Sequence, residues 1–130
     1  MKNARDLILE VVRGERPLAD LKAAGVSLRF RKLDQRSREI TVKPNHDASL
    51  VVSPTTVDLA KGLLSYQGRP KDLKDWGSFV LGADLIELEP LESDPSGDVI
   101  LNAVWDAGFE GRLSHDGAQA ARRLVGQPSE

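Results

Sequence analysis

The sequence predicts an α+β fold, mostly helical, in which a small N-terminal β-hairpin packs on a four- to five-helix assembly. Three observations carry this expectation. Apolar residues recur at helical spacing through most of residues 53–125. Residues 26–43 instead alternate apolar and polar side chains, the period of a half-buried strand. The most apolar stretch, DVILNAVWDAGFEG at 98–111, carries its polar residues at 98, 102, 106 and 110. On a helix that spacing makes one narrow polar stripe, so this helix is expected at the centre of the fold with a single edge in water.

The 130 residues read as a single globular domain, with N-terminal helices over 1–25, a hairpin region over 26–52 and a helical region over 53–125. Apolar residues make up 40% and charged residues 29%, the balance of a chain that buries a core and stays soluble. Cysteine is absent, which excludes disulfides, thiolate nucleophiles and cysteine-ligated metal. The apolar run near residue 8 is too short for a signal-peptide core, and no stretch reaches membrane-spanning length. These features point to the cytoplasm and away from membranes.

Taken in order, Leu7, Ile8, Val11 and Val12 share one face of a first helix over 4–13, with Asn3 as N-cap and Gly14 as its stop. Pro17 opens a short helix that Gly25 ends. Val26, Leu28 and Phe30 alternate with Ser27, Arg29 and Arg31; after the polar turn 34–37, residues 39–43 alternate again. Leu50, Val51 and Val52 are a third strand or the approach to the next helix. That helix, 54–66, takes Ser53 as N-cap and Pro54 as its first residue. A second follows over 70–81, and the four-residue link predicts an antiparallel helical hairpin. Residues 84–93 form a helical turn or an extended crossing, because Pro90 forbids a long helix there. The central helix is expected over 95–107, capped by Asp94 and ended by Gly108 and Gly111. A last helix, 115–125, is capped by Ser114. Trp76 and Trp105 fall on apolar faces and are expected in the core; Tyr66, at a helix end, is the aromatic expected at the surface.

Standard catalytic equipment is missing. His46 and His115 stand beside Asp47 and Asp116 but in no metal-ligand spacing, and HxxxH, HExxH and CxxC are absent. No nucleophile elbow, P-loop or dinucleotide fingerprint occurs. The expectation is therefore no catalytic residue, no metal and no cofactor. Asp98 and Asp106 could serve a small carboxylate-based hydrolase together with Glu87, but acidic residues on the wet edge of an apolar helix are required by solubility alone.

Charge is uneven along the chain. Residues 1–46 hold eleven Lys/Arg against six Asp/Glu; residues 47–130 hold seven against fourteen. No Lys or Arg lies between Asp75 and Gly111, where Asp84, Glu87, Glu89, Glu92, Asp94, Asp98, Asp106 and Glu110 all fall. Either the acidic face meets the basic third within the fold, or it is offered to a basic protein partner. The residues assigned to such a partner are Glu87, Glu89, Asp98, Asp106, Glu110 and Tyr66, the last because tyrosine is enriched at interface hot spots. The alternative is nucleic-acid binding through Arg29, Arg31, Arg36 and Arg38, with Lys32 and Lys43. It is weaker because Phe30 alternates onto the other face, leaving no stacking platform.

Two sets of residues, Tyr66-Gln67-Gly68-Arg69-Pro70 with Leu73 and Trp76, and Gly97-Asp98 with Ala103-Val104-Trp105-Asp106 and Phe109, resemble small, acidic, largely helical bacterial proteins. Some of these are immunity proteins that neutralise a cognate toxin. The resemblance spans about residues 53–124 and rests mostly on packing residues. It implies a protein binder without catalysis, whose acidic face covers the basic active site of a nuclease toxin. Oligomeric state is not set by any of these features.

Overall fold

The computed structural model describes residues 4–32, 38–43, 51–82, 86–92 and 95–126, and for 24, 27–32, 38–43, 92 and 96 the backbone alone. The expected caps Asn3 and Asp94, the turn at 34–37, His46, and Asp84 and Leu85 lie outside the described residues.

The α+β expectation is corrected: the described body is helical, with seven helices holding 73% of it and no sheet among them. Ser27–Lys32 and Arg38–Lys43 pair only with one another, antiparallel, Ser27 opposite Lys43. The described core is drawn from the helices and from Val26, Val52 and Ile86 between them, so the expected β-hairpin layer is not retained in the fold class. Alternation predicts local strand pairing; fold class depends instead on which elements bury the core, and here helices bury one another.

The helices are α1 (Ala4–Val12), a 3-10 helix (Leu18–Ala24), α2 (Thr56–Ser65), α3 (Pro70–Gly82), α4 (Glu89–Glu92), α5 (Pro95–Glu110) and α6 (His115–Leu124). Gly14 (φ 75°) and Gly25 (φ 77°) close the first two turns as expected. α2 starts two residues later than its Ser-Pro signal suggests. Thr55 is the N-cap, accepting from the Asp58 N–H while the Asp58 carboxylate accepts from the Thr55 N–H, a full capping box. Two donors satisfied reciprocally outweigh the preference for proline at the first helical position. Within the segment expected to be a helical turn or an extended crossing, the described residues 86–92 hold both: Ile86 makes a parallel bridge to Val52, and α4 follows.

α5 is the centre of the body, touching α2, α3, α4 and α6. Its expected end at Gly108 is corrected: the helix continues to Glu110, and Gly111 (φ 69°) terminates it. Gly108 faces Gly77 of α3. A Cβ on Gly77 would lie 2.6 Å from the Gly108 nitrogen, and Ser78 Oγ donates to the Gly108 carbonyl at 3.3 Å. Gly77 and Gly108 are therefore the point where two backbones touch.

The expected helical hairpin is also corrected. The backbone of α3 packs on α5 and that of α2 on α6. Trp76, fully buried, stands between Gly62 of α2 and its own helix. Its Nε1–H donates to the carbonyl of Val12 at 2.9 Å, satisfying an acceptor that the end of α1 leaves free. Ser65 Oγ donates to Gly14 O at 2.9 Å, and Arg13 Nε donates to Asp58 at 2.8 Å. Burial opposes the charge on Asp58, but the Thr55 N–H and the Arg13 guanidinium outweigh it and hold the carboxyl below its usual range.

Two predictions follow from this junction. A methyl group at Gly62 would fall on the Val12 carbonyl and the Trp76 ring. Gly62→Ala should therefore destabilise by roughly 2 kcal/mol, after about 1 kcal/mol of improved helix propensity is offset by overpacking. Urea unfolding measures it, and an unchanged or higher midpoint would contradict the packing. Because the folded Asp58 pKa lies below the ordinary 3.8, its contribution is complete above that value and is lost as pH falls through the folded one. Asp58→Asn should flatten the acid side of the stability–pH curve while leaving its alkaline side unchanged.

Candidate functional site

A helix that rotates about 100° per residue and is covered by four others has only a limited arc left for solvent. On α5 the exposed residues are Pro95, Asp98, Val99, Asn102, Trp105, Asp106, Phe109 and Glu110, an arc of about 140°. Ile100, Ala103, Val104 and Ala107 fill the buried side. The arc is wider than the predicted polar stripe, and it is not only polar. Trp105 is 50% exposed, Val99 46% and Phe109 38%.

The expectation that Trp105 lies in the core is corrected. An apolar residue on an apolar helix was assigned inward, but α2, α3, α4 and α6 cover only the other faces. Trp105 and Phe109 instead stack on one another outside, with ring centroids 5.0 Å apart and planes 6° from parallel. Two i,i+4 rows thus run side by side. One holds Trp105 and Phe109; the other holds Asp98, Asn102, Asp106 and Glu110. Among the described residues no ion pair joins Asp98, Asp106 or Glu110 to a lysine or arginine.

The other assigned residues lie elsewhere. Glu87 is exposed on the segment bridged to Val52, where it accepts from Ser53 Oγ at 3.2 Å and its N–H donates to Val52 O. Glu89 is exposed at the start of α4. Tyr66 is corrected outright: it is 6% exposed and belongs to the core. Its ring packs 6.3 Å from that of Trp76, its hydroxyl donates to Arg16 O at 3.4 Å, and Arg69 lies 4.8 Å over its face. A position at a helix end does not imply exposure when the next turn folds back over it. The side chains of Arg29, Arg31 and Arg38, and the whole of Arg36, lie outside the described residues.

Two concavities were not foreseen. A groove of about 800 Å³ between α5 and α6 is lined by Pro95, Val99, His115, Ala120, Arg123 and Leu124. Val99 connects it to the exposed face of α5. A smaller cavity of about 390 Å³ is lined by Gly14, Arg16, Leu18, Tyr66, Arg69 and Asp72. Its cations are already paired, Arg16 with Glu10 and Asp20, Arg69 with Asp72. Neither concavity is lined by Glu87, Asp98 or Asp106, so these carboxylates do not meet in one pocket. Asp98 and Asp106 stand eight residues apart along α5, about 12 Å. Among the described residues no group of three His, Asp or Glu could hold a metal ion, and no helix is long and apolar enough to cross a membrane.

No family model, curated protein or solved structure matches this chain. What the geometry offers is a surface of adjacent aromatic rings and carboxylates on a helix packed against four neighbours.

The correction at Tyr66 can be measured directly, since it is the only tyrosine. Burial raises its pKa, with Asp72 adding to the rise and Arg69 opposing it. Its phenolate absorbance should appear above pH 10, later than for an exposed tyrosine. A midpoint at or below that value would return Tyr66 to the surface.

Proposed function

We propose that this protein is a non-catalytic protein-binding module that presents the exposed face of α5 to a basic partner. The observation that carries the reading is the stacked Trp105–Phe109 pair standing in solvent beside Asp98, Asp106 and Glu110. Exposing two large aromatic rings and a valine on the central helix costs solubility and contributes little to the core. Tryptophan is also among the residues most enriched at interface hot spots. The carboxylates supply the charge, and the absence of Lys or Arg between 75 and 111 leaves that charge uncompensated along the chain. The specific role proposed is immunity- or antitoxin-like: the face covers a basic site on a toxin domain and blocks it by occupancy.

Binding to a basic protein domain should weaken as salt rises, because steering and rim charges are screened. Asp106→Lys with Glu110→Lys should reduce affinity by about tenfold or more while leaving the unfolding midpoint nearly unchanged. Isothermal titration at two salt concentrations reads both effects. Salt-independent binding, or affinity that survives the double charge reversal, would remove the α5 face from the interface.

A further inference from the structure

Resting on that reading, we infer that the α5 face is specific for arginine: a guanidinium of the basic partner lies flat on the outer face of Trp105, which Phe109 backs from the other side, its N–H groups directed to Asp106 and Glu110. Three observations lead to this occupant.

The first is the pairing of rows. The aromatic row and the acidic row are adjacent along the whole second half of α5. An aliphatic side chain would use the first row and strand the second. A lysine ammonium would use the second and gain less from the first, because it is compact and strongly hydrated. A guanidinium is planar, weakly hydrated, stacks on aromatic faces and carries five donors, so one side chain engages both rows.

The second is that the chain already makes this arrangement internally. Arg69 lies 4.8 Å over the ring of Tyr66 and reaches Asp72 at 3.5 Å. Aromatic face, guanidinium and carboxylate come together there across the link from α2 to α3. Trp105, Asp106, Phe109 and Glu110 present the same aromatic and acidic parts close together on a single helix.

The third is charge. A second copy of this chain docking α5 on α5 about a two-fold axis would bring Asp98, Asp106 and Glu110 against their own copies, which repel. Nucleic acid is disfavoured by the same carboxylates, which repel phosphate. A basic protein segment is the occupant whose charge the face complements.

The test uses the full chain and three synthetic helical peptides of one sequence, bearing arginine, lysine or glutamine on one face. The readout is the indole N–H resonance of Trp105. It is resolvable from Trp76, whose indole is buried and bonded to Val12 O. The arginine peptide should shift the Trp105 signal and bind about fivefold or more tightly than the lysine peptide, with the glutamine peptide inert. Isothermal titration reads the same affinities without that indole, and by it Trp105→Leu, at an exposed position, should abolish the arginine preference while the Trp76 resonance stays in place. Asp106→Asn with Glu110→Gln should weaken both basic peptides alike. Equal binding of arginine and lysine peptides, unaffected by Trp105→Leu, would overturn the arginine seat while leaving a basic partner on this face. No shift with any peptide would overturn both. Concentration-dependent sedimentation abolished by Trp105→Leu would show a second copy as the occupant and overturn the inference.

Discussion

The hydrogen bond from the Trp76 indole to the Val12 carbonyl, made across Gly62, is the constraint on which the helical body depends. It joins three elements at one point: the end of α1, the middle of α2 and the middle of α3. A buried indole N–H must find an acceptor, and a helix C-terminus holds carbonyls with no partner of their own. Each need is met by the other, and only a glycine at position 62 leaves room for the ring to pass. Around this point Tyr66 packs on Trp76, Ser65 holds Gly14 and Asp58 holds Arg13, so the first helix is fastened to the second along its last turn.

A second close contact sets the other side of the body. Gly77 and Gly108 let α3 and α5 approach until backbone meets backbone, which a Cβ on either would prevent. With α3 this near on one side and α2, α4 and α6 on others, α5 is fixed in rotation about its own axis. That rotation decides which residues face water. The stacked Trp105–Phe109 pair is outward because the glycine contact fixes this rotation and α2, α3, α4 and α6 cover the other faces of the helix. The packing that stabilises the core and the surface proposed to bind a partner are therefore two consequences of one helix orientation.

Burial also redistributes the charges. Near α1 and α2, arginines and carboxylates are matched over distances that keep them paired: Arg13 with Asp58, Arg16 with Glu10 and Asp20. Along α5 the acidic residues stand apart from such partners. Of the acidic residues over 75–111, Asp98, Asp106 and Glu110 stand on one exposed helix face beside aromatic rings, while Glu87 and Glu89 are exposed just before and on α4.

By itself the sequence determined the existence and order of most helices, the turns at Gly14 and Gly25, the burial of Trp76 and the central place of the helix around residue 104. Each follows from local chemistry: apolar spacing, glycine in the left-handed region, and the apolar content of a segment. It also pointed to the acidic window. Only the tertiary structure decided that Tyr66 is inside and Trp105 outside, that Gly108 continues its helix, that α3 pairs with α5 rather than with α2, and that helices bury the described core without a sheet. The physical reason is the same in each case. Amphipathic spacing shows that a helix has an apolar side, but a helix as apolar as α5 offers several. Which of them is covered depends on where neighbouring backbones approach most closely, and that is set by pairs of residues far apart in the chain, Gly62 with Trp76 and Gly77 with Gly108.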